Sequence, residues 1–203
     1  GVALITPFDN YEVDYEALTR MVDHVIDGGV DYIVALGSTA ETATLSIEER
    51  NDVLRFIIEQ TAERVPIVVG MGGNDTHQLV EQLRTFDLSG TVAILSVVPY
   101  YNKPSQEGIY RHFMAVAEAS PVPVIIYNVP GRTGVNMTAE TTLRLAKATD
   151  KIVAIKEACG NIEQMQAILD GRPDNFLVLS GDDGITVELV KRGGEGVISV
   201  AAN

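Results

Sequence analysis

Eight short apolar runs alternate with amphipathic stretches along the 203 residues of this chain. The runs cover 2–6, 32–37, 66–70, 92–97, 122–127, 152–156, 176–180 and 196–200. They are rich in Val and Ile and mostly lack polar alternation, as strands buried on both faces of a parallel sheet do. Between them, apolar residues recur at helical spacing. The stretch 15–27 sets Leu18, Met21, Val22, Val25 and Ile26 on one face. The stretch 46–59 opens on Ser46-Ile47-Glu48-Glu49, a capping box. Further helices are expected over 75–86, 106–119, 138–148, 162–169 and 183–192, with Thr138 and Asn161 suited to N-caps. Gly28-Gly29, Gly90 and Gly193-Gly194 follow helices as C-terminal punctuation.

Strand and helix in strict alternation predict an α/β fold, a (β/α)8 TIM barrel formed by residues 1–203 as one domain. The alternative is an open doubly wound sheet, but no G-x-G-x-x-G follows any strand. Barrels of this kind run to about 250 residues. The chain opens on Gly1 without an initiator Met and stops at Asn203, just past the eighth run. A barrel truncated after strand eight is therefore expected, without its last helix or any C-terminal helical region.

Fifteen basic against twenty-eight acidic residues leave a net charge of −13. Nucleic acid is an unsuitable partner for that balance, because phosphates need a basic face. No run of about 18 apolar residues is present, so no membrane partner is expected. No targeting signal is visible, and a cytoplasmic location suits the composition. Cys159 is the single cysteine, which rules out an internal disulfide and a cysteine-based zinc site. A small buried role suits it better than a nucleophilic one.

In such barrels the chemistry gathers at the C-terminal ends of the strands. Strand six ends on Lys156-Glu157, and burying a lysine costs several kcal/mol unless it is paired or neutral. Its bland role is to snorkel to solvent. In a dry barrel mouth it becomes a free amine able to attack a ketone. Forming an imine also needs proton transfers, and Ser38, Tyr101 and Tyr127 bring hydroxyls to neighbouring strand ends. Arg132, in the Gly-rich turn after strand five, is either a solvated loop charge or a bidentate clamp on a carboxylate. The Ser38-Thr39 turn offers N–H groups and hydroxyls to a second carboxylate. An amine flanked by carboxylate receptors points to a small keto acid joined to another acidic partner. His24, His77 and His112 fall in helical stretches away from the strand ends. Asp182-Asp183 could hold a cation, but a helix N-cap is the simpler reading. No metal site is expected.

Four motifs, Gly37-Ser38-Thr39-Ala40-Glu41, Tyr100-Tyr101-Asn102-Lys103-Pro104, Tyr127-Asn128-Val129-Pro130-Gly131-Arg132-Thr133-Gly134 and Ile155-Lys156-Glu157-Ala158, together resemble the dihydrodipicolinate synthase family of pyruvate-dependent class I aldolases. The resemblance implies a Schiff base between Lys156 and pyruvate, with no other cofactor. It implies a proton relay of Tyr127, Ser38 and Tyr101, the last reaching a neighbouring subunit's site. It implies Thr39 on the pyruvate carboxylate, Arg132 on that of L-aspartate 4-semialdehyde, and Gly181 and Ile198 lining the pocket. The product then cyclises toward lysine by the diaminopimelate route. A homo-oligomer, a tetramer of tight dimers, is implied as well.

Two departures stand out. Ser38 and Ala40 replace the family's usual Thr and Gly; serine loses the methyl that fixes its rotamer, and alanine disfavours a positive φ. Ile47 and Gln78 stand where lysine-inhibited relatives carry histidine and glutamate, so weak or absent lysine feedback is expected. Two other readings are a sister aldolase, such as N-acetylneuraminate lyase or a keto-deoxy-sugar aldolase, and a non-catalytic barrel. Arg132 argues against the first, and the presence of Lys156 and Tyr127 against the second.

Overall fold

The computed structural model describes residues 1–203. Eight parallel strands follow one another in chain order: β1 Val2–Ala3, β2 Ile33–Ala35, β3 Ile67–Gly70, β4 Ala93–Val97, β5 Val124–Asn128, β6 Ile152–Glu157, β7 Leu177–Ser180 and β8 Gly196–Val197. The last returns to the first. Val2 bridges Ser199 in parallel, the Ala3 N–H donates to the Ser199 carbonyl at 2.8 Å, and the Ser199 N–H donates to the Gly1 carbonyl at 2.9 Å. This closure makes a (β/α)8 barrel and excludes the open sheet. The outer two strands are shorter than their apolar runs, with ladder pairing confined to Val2–Ala3 and Gly196–Val197.

Seven helices wrap the strands: α1 Tyr15–Asp27, α2 Ile47–Thr61, α3 Thr76–Thr85, α4 Gln106–Ala119, α5 Ala139–Ala148, α6 Ile162–Gly171 and α7 Thr186–Lys191. The first six start on Asp14, Ser46, Asp75, Ser105, Thr138 and Asn161, whose side chains accept N–H groups of the first turn. Both halves of the Ser46–Glu49 capping box form, at 3.1 and 2.7 Å. The helix expected over 183–192 is divided. Asp182 accepts the Gly184 N–H at 2.8 Å and tightens the entry into a 3-10 turn, Asp183–Ile185, before α7 begins. A hairpin in the first loop, Phe8–Asp9 with Glu12–Val13, turns through Asn10 and Tyr11, both at positive φ. Sequence periodicity gave no sign of it, because each arm is two residues long.

Two apolar layers result. Helices and outward strand residues share a 36-residue cluster, while Ala3, Val34, Leu95, Ile125, Ala154 and Ile198 belong to an 11-residue cluster inside the barrel. Strand β6 changes phase on the way up. Ile152 lies in the outer layer and Val153 packs on the inner cluster, yet the register with β5 slips so that Ala154 faces inward too. This bulge sends Lys156 into the barrel and Glu157 out of it.

Candidate active site

Lys156 stands two residues beyond Ala154 on the inner face of β6 and is 4% exposed. No carboxylate lies within ion-pairing distance of it. Its Nζ lies over the Tyr127 ring, 4.4 Å from the centroid. Burial lowers the pKa of the amine from 10.5 to about 8; the Arg132 charge acts the same way and the Asp183 charge opposes it. A useful fraction of the free amine is thus present in mildly alkaline solution. Tyr127 pairs directly with Lys156 across the β5–β6 ladder. Burial holds its phenol above the ordinary value, with the Arg132 charge opposing, so the hydroxyl keeps its proton and can pass one on.

A cavity of about 320 Å³ opens over the amine. Ser38, Thr39, Tyr127, Arg132, Lys156 and Gly181 line it, so six of the eight residues singled out from the sequence meet there. Gly181 has a steric reason to be glycine. A Cβ there would lie 2.8 Å from Ala158 Cβ and 3.0 and 3.1 Å from Lys156 Cγ and Cε. Arg132 is carried by a helical turn, Pro130–Thr133, and has no ion-pair partner in the chain. Ser38 and Thr39 open a 3-10 turn, Ser38–Ala40. Ala40 keeps negative φ there, and the left-handed residue is Glu41, φ +54. The turn thereby avoids the conformation that alanine resists. A second cavity of about 510 Å³ shares Ser38, Tyr127 and Arg132 and extends to Ile47 and Arg50 on α2.

Two of the eight residues stand apart. Ile198 is fully buried in the barrel's apolar interior and is not among the residues lining the cavity over the amine. Tyr101 is 87% exposed and does not line this chain's own cavity. It sits at the centre of a γ-turn with φ +73, closed by the Asn102 N–H on the Tyr100 carbonyl at 2.9 Å. Such a conformation is strained for a non-glycine residue. Neighbouring loops hold it: Asn102 Nδ2 donates to the Asn74 carbonyl at 3.1 Å, and Asn74 Nδ2 to the Tyr100 carbonyl at 3.2 Å.

Sequence reasoning missed other residues. Asp183 lines the cavity and accepts the Val200 and Ala201 N–H groups, both at 3.1 Å, tying the end of β7 to that of β8 while its charge faces Lys156. Only the capping half of the Asp182-Asp183 pair was legible. Glu157 and Asn128 are fully buried on the opposite face of the same strand ends. Their signal was a polar pair flanking an inward-facing pair, which periodicity alone does not distinguish from an exposed strand end. Cys159 is half-buried, and burial pushes its thiol up to about 12, which suits the inert role. His112 is buried and bonded to Thr76 Oγ1 at 2.8 Å, its pKa lowered by burial to about 4. No group of three or more His, Cys, Asp or Glu side chains is arranged to hold a metal ion, and no helix is long and apolar enough to cross a membrane.

The profile of the dihydrodipicolinate synthetase family matches residues 1–203. The 4-hydroxy-tetrahydrodipicolinate synthase of Parabacteroides distasonis is 57% identical over 204 residues, spanning 100% of this chain and 69% of that protein. The crystal structure of dihydrodipicolinate synthase from Aquifex aeolicus superposes with a TM-score of 0.94 at 44% identity, covering 98% of this chain and 68% of that one. A monomeric dihydrodipicolinate synthase variant superposes at 0.96 with 38% identity, covering 100% and 68%.

Proposed function

This chain belongs to the dihydrodipicolinate synthetase family, and from that premise we propose that it joins pyruvate to L-aspartate 4-semialdehyde through an imine on Lys156. Enzymes of this kind are lyases of the class I aldolase type, serving lysine and diaminopimelate biosynthesis. The observation that carries the mechanism is the buried, unpaired Lys156 amine above the Tyr127 ring, in a cavity shared with Arg132.

Nζ of Lys156 attacks C2 of pyruvate, and the carbinolamine loses water to give the imine. The water's oxygen is the former ketone oxygen, and Tyr127 and Ser38 carry the protons it needs. Loss of a C3 proton yields the enamine, which forms a carbon–carbon bond to the aldehyde carbon of the second substrate. That substrate's own amine then closes on C2 and frees Lys156. Thr39 and the N–H groups of its turn hold the pyruvate carboxylate. Arg132, without an acidic partner of its own, receives the carboxylate of the semialdehyde. No cofactor beyond the covalent imine is needed.

Tyr101 completes the relay in a neighbouring copy's site. Its exposure and its strained, braced turn support this role and with it a homo-oligomer, a tetramer of tight dimers. The protein works in the cytoplasm as one barrel domain over residues 1–203, a placement supported by its biosynthetic relatives and its charge of −13. Gly181 and Ile198 shape the pocket, the latter from below. Ile47 and Gln78 offer lysine no charge, so low-micromolar lysine leaves turnover unchanged; inhibition there would refute this point.

The test is turnover of pyruvate with L-aspartate 4-semialdehyde, set beside cleavage of N-acetylneuraminate. Condensation without sialic acid cleavage is expected, with the borohydride-reduced pyruvate adduct on the peptide containing Lys156. Sialic acid cleavage, or an active enzyme with unmodified Lys156, would overturn the proposal.

A further inference from the structure

Directly behind the reacting pair lies a second pair. Across the β5–β6 ladder Tyr127 stands opposite Lys156, and Asn128 stands opposite Glu157. The first pair faces the cavity, and the second is fully buried between barrel and helices. Every group around the Glu157 carboxylate is a donor. Asn128 Nδ2 lies 3.0 Å from Oε1 and 3.1 Å from Oε2, Gln164 Nε2 donates to Oε2 at 3.1 Å, and the Cys159 N–H donates to Oε1 at 2.9 Å. An acceptor-only carboxylate fits that shell; a carboxylic acid would leave its own proton without an acceptor. The amide orientation is fixed as well, because Asn128 Oδ1 accepts the Met137 N–H at 3.0 Å and its nitrogen must therefore face Glu157. From Asn128 the network continues to Asn136 Oδ1 at 2.8 Å, and Asn136 exchanges hydrogen bonds with Gln164. The segment from Asn128 to Met137 contains the turn that bears Arg132.

We propose that Glu157 is a positioning residue for the reaction: with Asn128 it forms a buried anionic clasp that fixes the ends of β5 and β6, and so sets Lys156 and Tyr127 against each other and holds the Arg132 turn over the cavity. This deepens the proposed function and rests on it. The clasp touches no substrate and acts through the backbone it pins. Above the skipped Val153, Ala154 to Glu157 keep ladder register with both β5 and β7, and the clasp adds a side-chain contact at the end of the β5–β6 ladder.

The experiment compares wild type, Glu157→Gln and the swap Asn128→Asp/Glu157→Gln. Each is reacted with pyruvate and borohydride to count trapped Lys156, and turnover is expressed per trapped site. Merely structural damage lowers the number of competent sites and leaves the rate per site alone. The clasp requires Glu157→Gln, whose amide faces three donors, to lower kcat per trapped site by about tenfold or more, with a smaller change in KM for pyruvate. The swap restores a donor opposite an acceptor and recovers a large part of that loss. A rate per site within about twofold of wild type in Glu157→Gln, or a swap no better than the single variant, would overturn the proposal. Should Glu157→Gln not fold, Gln164→Met removes one donor only; about threefold is then expected per site, and an unchanged rate overturns it. Absence of any trapped Lys156 in the wild type would sink the proposed function itself.

Discussion

Two adjacent residues at the end of β6 carry opposite charges and are buried almost equally, Lys156 4% exposed and Glu157 fully buried. Their surroundings differ in kind. Glu157 on the outer face meets three hydrogen-bond donor groups, whereas Lys156 on the inner face meets an aromatic ring and no carboxylate within ion-pairing distance. Burial alone pushes both groups toward neutrality, lowering the pKa of the amine and raising that of the acid. Hydrogen bonds from Asn128, Cys159 and Gln164 oppose the push on Glu157 without cancelling it, and they tie the carboxylate into the fold. Nothing comparable offsets it on Lys156 except the charge of Asp183, and the result is a nucleophile. Fold and chemistry thus divide the two faces of one strand between them.

Lys156→Met should widen the contrast most. It deletes the reacting group, so turnover falls by at least about 10³-fold. Stability moves the other way. The folded-state pKa of about 8 lies below the unfolded 10.5, so the folded state binds fewer protons between those values and its stability rises with pH across that window. Below pH 8 the cost of the buried charge is fully present, and removing the amine should stabilise the protein at pH 7 by about 2 kcal/mol. Denaturant melts at pH 7 check this; a loss of stability would show that the amine is not a desolvated burden. Gly181→Ala comes next. Its methyl would crowd Lys156 Cγ and Cε and displace the amine. Imine formation should slow by about tenfold or more with the barrel still folded, as read by borohydride trapping beside circular dichroism. An unchanged trapping rate would mean that the inner face tolerates movement. Ser46→Ala acts on the outer layer alone. Loss of the cap on α2 should cost about 1 kcal/mol of stability and leave kcat as it was. A change in kcat would show that the helix layer reaches the chemistry by a route other than the Glu157 clasp.

Much of this was legible beforehand, for physical reasons. Buried parallel strands are continuous apolar runs, and the caps Ser46, Thr138 and Asn161 are short polar side chains ahead of amphipathic stretches, so barrel and helix starts could be read directly. Strand ends marked the cavity because their inward-facing side chains close over the barrel interior, and Ser38, Thr39, Tyr127, Arg132, Lys156 and Gly181 do converge. The limits were equally physical. Alternation assigns faces only where no residue is skipped, and the bulge at Val153 exchanges the faces of Lys156 and Glu157 without a compositional mark. The γ-turn at Tyr101 depends on bonds from loops that are distant in sequence. Asp183 looked like half of a cap, because its partners Val200 and Ala201 arrive only when the barrel closes. Ile198 sits one residue from the β8 end, but its side chain fills the apolar interior.

The central claim is that burial, not a neighbouring base, frees the amine of Lys156. The direct measurement is the rate of pyruvate trapping on Lys156 by cyanoborohydride as a function of pH, followed by mass of the modified peptide. The rate should climb as the amine loses its proton and level off, with a midpoint near pH 8. A midpoint near the ordinary lysine value of 10.5 would contradict the claim.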